Sequence, residues 1–385
     1  MACRSRPIRQ AAAFTLSALA LLVALASSAS AFCPFCTALV PTLSQMRDSA
    51  DTVLLAEVIE ENSGTYEFRL HQALKSPAVN AHAENVRIAV DEPLSTGTLA
   101  LLFGAQDPRG EEHVRWQATA VDETSLAYFA GAPSPRTDAT ERLVYFARFL
   151  EHPDPVVAED AYQEFGHAPF DRVAAVADHL SSDELRRWLR DDRVPQHRKG
   201  FYGLALGLPR EQAELDANVV FLREFVTEPA VDFRAGYDGA LAGFLLAGGE
   251  DALVLIEQLL LANLDAAEGD VRHGLAALRF LYEFGRDIPP ERLVRAMRLL
   301  LERPSLSAAA VVDLARWNDW ESLDRVAALY APAPADSPAL RRAVVGYLLA
   351  CGNDAAMDAL ESLRSADPQG VAIAEQHVGL LGGTR

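Results

Sequence analysis

Cys33 and Cys36 stand three positions apart in the stretch AFCPFC, residues 31 to 36. At that spacing two thiols can close a disulfide, work as a redox dithiol or supply half of a zinc site. A dithiol at the start of a helix would have its first thiolate favoured by unpaired backbone N–H groups. A zinc site would need a second Cys-x-x-Cys or a close His pair, and His71, His82 and His113 are instead scattered singly. Thr37 follows Cys36 where c-type haem attachment requires His. A disulfide closing so short a ring contributes on the order of 2 kcal/mol by loop entropy. The expected state is a structural Cys33–Cys36 bridge, with a thiol–disulfide oxidoreductase or redox sensor as the alternative.

The segment ahead of the motif bears on that choice. Arg4, Arg6 and Arg9 precede an apolar run, Ala11 to Ala26, of 16 residues. Such a run is shorter than the roughly 20 residues that span a bilayer as a helix. Ala29-Ser30-Ala31 supplies the small residues of a cleavage site, so residues 1–31 read as an export signal. The expected product starts at Phe32, carries no membrane span and lies in the periplasm or outside the cell. That compartment favours the bridge and leaves Cys351, in VVGYLLACG, as a buried small hydrophobe.

Charge narrows the partners. Losing the three leader arginines takes the formal charge from −19 to −22, and Lys75 and Lys199 are the sole lysines. No basic stripe exists to neutralise phosphates, which excludes nucleic acid as the expected partner. Nor does the chain hold a Gly-x-Ser-x-Gly elbow, a His-Glu-x-x-His helix, a Walker loop or a Gly-x-Gly-x-x-Gly turn. Acid pairs such as Glu57 with Glu61 and Asp191 with Asp192 read as solvated surface. No enzyme activity, metal or cofactor is expected. Trp317 and Trp320, on the helix connection ARWNDWESL, read either as an interlocking core element or as a peptide-binding platform.

The elements that position these residues fall into two parts. TALVPTLSQMRDSA, residues 37 to 50, has Leu39, Leu43 and Met46 on one helical face. TVLLAEVIEE, YEFRLHQAL, VRIAV, TLALLFG and WQATAVD then read as strands with hairpin-like spacing. They predict a small antiparallel barrel or sandwich over residues 32–130. Their order behind CPFC resembles the netrin-like domain of tissue inhibitors of metalloproteinases, an OB-type barrel. That resemblance covers about a quarter of the chain and departs from the family at its ridge. The spacing is Cys-x-x-Cys rather than Cys-x-Cys, and Phe32 would block the terminal amino group that those inhibitors place on a metal. Protease inhibition is therefore not implied.

GAPSPRTDAT, residues 131–140, reads as a linker. Beyond it, helix starts anchored on Val156, Val194, Val231, Val271, Leu306 and Leu340 recur at intervals of 38, 37, 40, 35 and 34 residues. A second amphipathic helix follows several of them, as in EDALVLIEQLLLAN and PERLVRAMRLLLE. With starts such as GDVRHGLA and SPALRRAV, residues 141–366 resemble HEAT-type repeats, which implies an α-solenoid whose neighbouring units share one core. Gly203, Gly207, Gly239 and Gly243 fall inside these helices, where either close helix packing or sequence drift would explain them. Residues 367–385 read as a tail. The chain is thus expected to be α+β, a β domain followed by a HEAT-like solenoid, and to act as an exported, non-catalytic scaffold binding a protein or peptide.

Overall fold

The computed structural model describes residues 40–62, 64–75, 85–90, 93–106, 114–229, 234–331 and 337–382. Cys33, Cys36, His82, His113, Val231 and the leader lie outside them. The fold is α+β, an antiparallel sheet followed by a long run of helices.

Pro41 and Thr42 set the first boundary. The helix expected from residue 37 begins as α1 (Leu43–Ser49), with Thr42 and Gln45 forming a reciprocal capping box. Then come β1 (Thr52–Asn62), β2 (Thr65–Lys75), β3 (Asn85–Ala89), β4 (Leu99–Gln106) and β5 (Val114–Ala120). Gly64, at φ +81°, turns the β1–β2 hairpin. All pairings are antiparallel, in the order β3-β2-β1-β4-β5.

The two central strands are buried on both faces, which accounts for their near-continuous apolar runs. Val53, Leu55, Leu101 and Phe103 face the helices. Ala56, Val58, Ala100 and Leu102 face the other way and join Tyr66, Phe68 and Ile88 in a second, smaller core. Of the expected antiparallel barrel or sandwich, the structure holds the antiparallel sheet. Among the described residues there is one open sheet, and its edges β3 and β5 do not pair. Asp122 and Ser125 cap a helix directly after β5, so the chain supplies helices, rather than a second sheet, to cover the sheet.

That helix, α2 (Glu123–Gly131), escapes the strand-minded reading of its segment. The predicted linker is the loop between α2 and α3 (Ala139–Ala147), and it is held down. Arg47 of α1 donates to the carbonyls of Phe129, Ala132 and Pro133, and the Tyr145 hydroxyl donates to the Tyr128 carbonyl.

The chain continues through α4 (Pro155–Gly166), α5 (Phe170–Ala174), α6 (Ser182–Arg190), α7 (Gln196–Leu206) and α8 (Gln212–Thr227). Next are α9 (Tyr237–Ile256), α10 (Glu268–Phe284), α11 (Pro290–Leu299), α12 (Ser307–Arg316) and α13 (Leu323–Ala328). Last come α14 (Pro338–Cys351), α15 (Asp354–Ala366) and α16 (Pro368–Gly382). The region expected to be a tail is therefore mostly helix, with Val371 and Ala374 buried in the common core.

Residues 237–261 are long and apolar enough to cross a membrane by composition. Gly249, at φ 57° and ψ −142°, breaks the run into two helices, and the first half packs on α7. A core hairpin accounts for it.

Several contacts at similar separations along the chain join neighbouring helices. Tyr162 donates to the His197 carbonyl, Arg190 pairs with Glu228, Arg234 with Asp270, Arg279 with Asp313, and Tyr330 donates to Asp367. Those residues are separated by 35, 38, 36, 34 and 37 positions. The glycines repeat the same offset. Gly200, Gly203 and Gly207 on α7 face Gly239 and Gly243 on α9, so closely that a Cβ on Gly203 would stand 2.5 Å from the Ala240 nitrogen. Phe170 of α5 packs on Phe280 and Phe284 of α10, with ring centroids 5.0 and 4.9 Å away, so helices distant in the chain also meet.

Candidate functional site

Local packing decides the tryptophans first. Trp317 lies face to face with Tyr282, centroids 4.0 Å apart and planes 7° from parallel. Trp320 sets its ring edge-on to Tyr347 at 5.2 Å. Between them Asp319 is buried, held by Arg298 and by the Ser322 hydroxyl at 2.6 Å. Each indole is thus engaged by a different neighbouring helix. Cys351 is a free thiol, half-buried against the core.

The acid pairs behave as surface groups. Glu57 takes Arg69 and His71 on the exposed sheet face. Hydrogen bonds from Arg193 pull the Asp191 carboxyl down to about 2. Among the described residues no group of three or more His, Cys, Asp or Glu could hold a metal ion.

The polar residues that do converge lie where sheet meets helices, and the sequence reading passed them over. Helix α4 carries Asp160, Gln163 and Glu164 only 7%, 3% and 3% exposed. They grip the chain that enters α1. The Val40 N–H donates to Gln163 at 3.2 Å, the Leu43 N–H to Asp160 at 2.6 Å, and the Ser44 hydroxyl to Glu164 at 2.5 Å. Tyr128 donates to the other Asp160 oxygen at 2.6 Å, and Arg142 pairs with Glu164. Burial pushes the Asp160 carboxyl up to about 6. It outweighs the bonds from Tyr128 and Leu43 and the attraction of Arg142, and Glu164 adds repulsion.

Beside this latch is a cavity of about 630 Å³, walled by Val40, Met46, Trp116, Val156, Glu159 and Asp160. Its carboxylates are already spent on protein partners, Glu159 on Gln163, His197 and Arg198. The arrangement fastens two layers together, and its carboxylates serve that fastening.

A second cavity, of about 500 Å³, is different. It lies between α12, α14 and α16, with Ala309, Val312, Ala343 and Gly346 among its apolar lining and Arg316 and Arg342 as its charged lining, beside His377. Val312 is exposed. Small side chains leave this channel open, because α12 and α14 both present alanine or glycine to it while α16 contributes His377 and Val378.

The chain matches no protein family, no curated protein and no solved structure.

The groove's side chains therefore have to be read by their own chemistry. It holds no nucleophile beside a base and no paired carboxylates. What it offers is apolar surface and fixed positive charge, the makings of a binding surface.

Proposed function

We propose that this chain is an exported, non-catalytic binding protein that engages a protein or peptide partner on its helical part. The observation that carries the reading is the open apolar groove between α12, α14 and α16, edged by arginine in an otherwise acidic chain. The contacts recurring at 34 to 38 residues support a HEAT-like array of helical units. Such arrays act through extended surfaces assembled from several repeats. The strand order β3-β2-β1-β4-β5 supports a partly open OB-like domain in front, one meeting of β3 with β5 away from closure.

A photo-crosslinking residue placed at Val312, inside the groove, tests the reading against one at Val220, an exposed valine on α8 outside it. The expected outcome is one defined adduct from Val312 and none from Val220 when the protein is expressed in its own compartment. Equal labelling at both sites, or none at Val312, would remove the reading.

A further inference from the structure

We infer that the groove between α12, α14 and α16 takes an acidic amphipathic helix of a protein partner, apolar side inward and carboxylates on Arg316 and Arg342. The inference rests on the binding-protein reading above and specifies what is bound.

Charge complementarity carries it. The chain has 54 acidic against 35 basic residues, yet the lining of this groove contains no Asp or Glu. The cavity beside the α1–α4 latch, by contrast, is lined by the carboxylates of Glu159 and Asp160. Arg342 makes no hydrogen bond or ion pair with another described residue, whereas its neighbour Arg341 is bound to Asp367. Arg316 reaches only Asp313, at 3.7 Å, and that carboxylate is already held by Arg279 at 2.7 Å. Two guanidiniums short of counter-charge therefore border apolar surface. Their local field draws carboxylates even though the protein as a whole repels them.

The shape of the occupant follows from the lining. Ala308, Ala309, Ala339, Ala343 and Gly346 keep the walls low, which lets another helix axis come near. A helix docked in a groove buries apolar side chains three and four residues apart and leaves its flanks to the rim. Glutamates on those flanks would meet Arg316 and Arg342 and add both attraction and register. A second copy of this chain is the poorer fit, because two chains of charge −19 repel.

The experiment uses the full chain and a dye-labelled peptide of about 18 residues, long enough to hold a helix. One version carries leucine on one face and glutamate on the others, and its twin has lysine for every glutamate. Fluorescence anisotropy should show the glutamate peptide binding, weakening with added salt, and the lysine peptide failing to bind. The double variant R316E/R342E should lower affinity for the glutamate peptide at least about tenfold and gain affinity for the lysine twin. That reversal cannot arise from misfolding. A309W, which fills the groove, should abolish binding of the glutamate peptide.

Equal binding of the two peptides, or indifference to R316E/R342E, would overturn the inference. So would a dimer of the free protein that A309W dissolves, since the groove would then belong to a second copy. A Val312 adduct with a natural partner alongside no binding of the glutamate peptide overturns this inference alone. No adduct and no peptide binding removes the binding-protein reading as well.

Discussion

The backbone N–H of Leu43 donates to the Asp160 carboxylate over 2.6 Å, joining residues 117 apart in the chain. Burial keeps that carboxyl protonated up to about 6 in the folded protein, against 3.8 ordinarily. Between those values the folded state holds a proton that the unfolded chain has released. The group's contribution to stability is thus fully present below the lower value and lost as pH rises through the upper one. D160N keeps an acceptor for Leu43 and cannot titrate. It should gain on the wild type by up to about 3 kcal/mol between about pH 4 and pH 7. Urea unfolding of both proteins at the two pH values measures this, and parallel stability curves would refute it.

Tyr282 and Trp317 stack between successive units. W317A should cost about 2 to 3 kcal/mol, below the value for a fully buried indole because Trp317 is half-exposed. Chemical denaturation followed by circular dichroism checks the figure. An unchanged midpoint together with loss of the Val312 adduct would make Trp317 a partner-binding residue instead.

The glycine interface makes a paired prediction. A Cβ on Gly239 would collide with the Gly200 backbone, which cannot swing aside as a side chain tip can. G239A should therefore destabilise by about 1 to 3 kcal/mol. Gly269, in the first turn of α10, has nothing within 4 Å of its missing Cβ. G269A should stabilise by up to about 1 kcal/mol through helix propensity. Thermal melts of the two variants must move in opposite directions.

Exported protein should begin at Phe32 by mass spectrometry and carry Cys33 and Cys36 as a disulfide. A reduction potential below about −300 mV fits a structural bridge, whereas one near −200 mV would favour the oxidoreductase alternative. A chain retaining Met1 after fractionation would count against export.

Reading the sequence served well where the cause is local. The five strands fall within two residues of their expected limits, since alternation and turn residues act over neighbouring positions. Close packing at Gly203, Gly207, Gly239 and Gly243, one of the explanations the sequence allowed for them, is what the helices show. Helix α2 was not, although Asp122 and Ser125 form a capping pair that announces it. Residues 368–382, expected as part of a tail, form α16, with Val371 and Ala374 buried in the common core.

Asp160, Gln163 and Glu164 mark the limit of such reading. On α4 they look like the wet side of an amphipathic helix, yet their partners arrive from Val40, Leu43 and Ser44, more than a hundred residues earlier. The groove is equally non-local, since its lining comes from three helices that only packing brings side by side.

Sequence alone determined the strands and the acidic balance, because backbone propensity and side-chain spacing act within a few residues. Tertiary structure decided that the sheet stays open, that α4 turns its acids inward, and that two arginines are left beside an apolar channel. Those outcomes depend on which distant surfaces meet, and so on desolvation and pairing that no local pattern encodes.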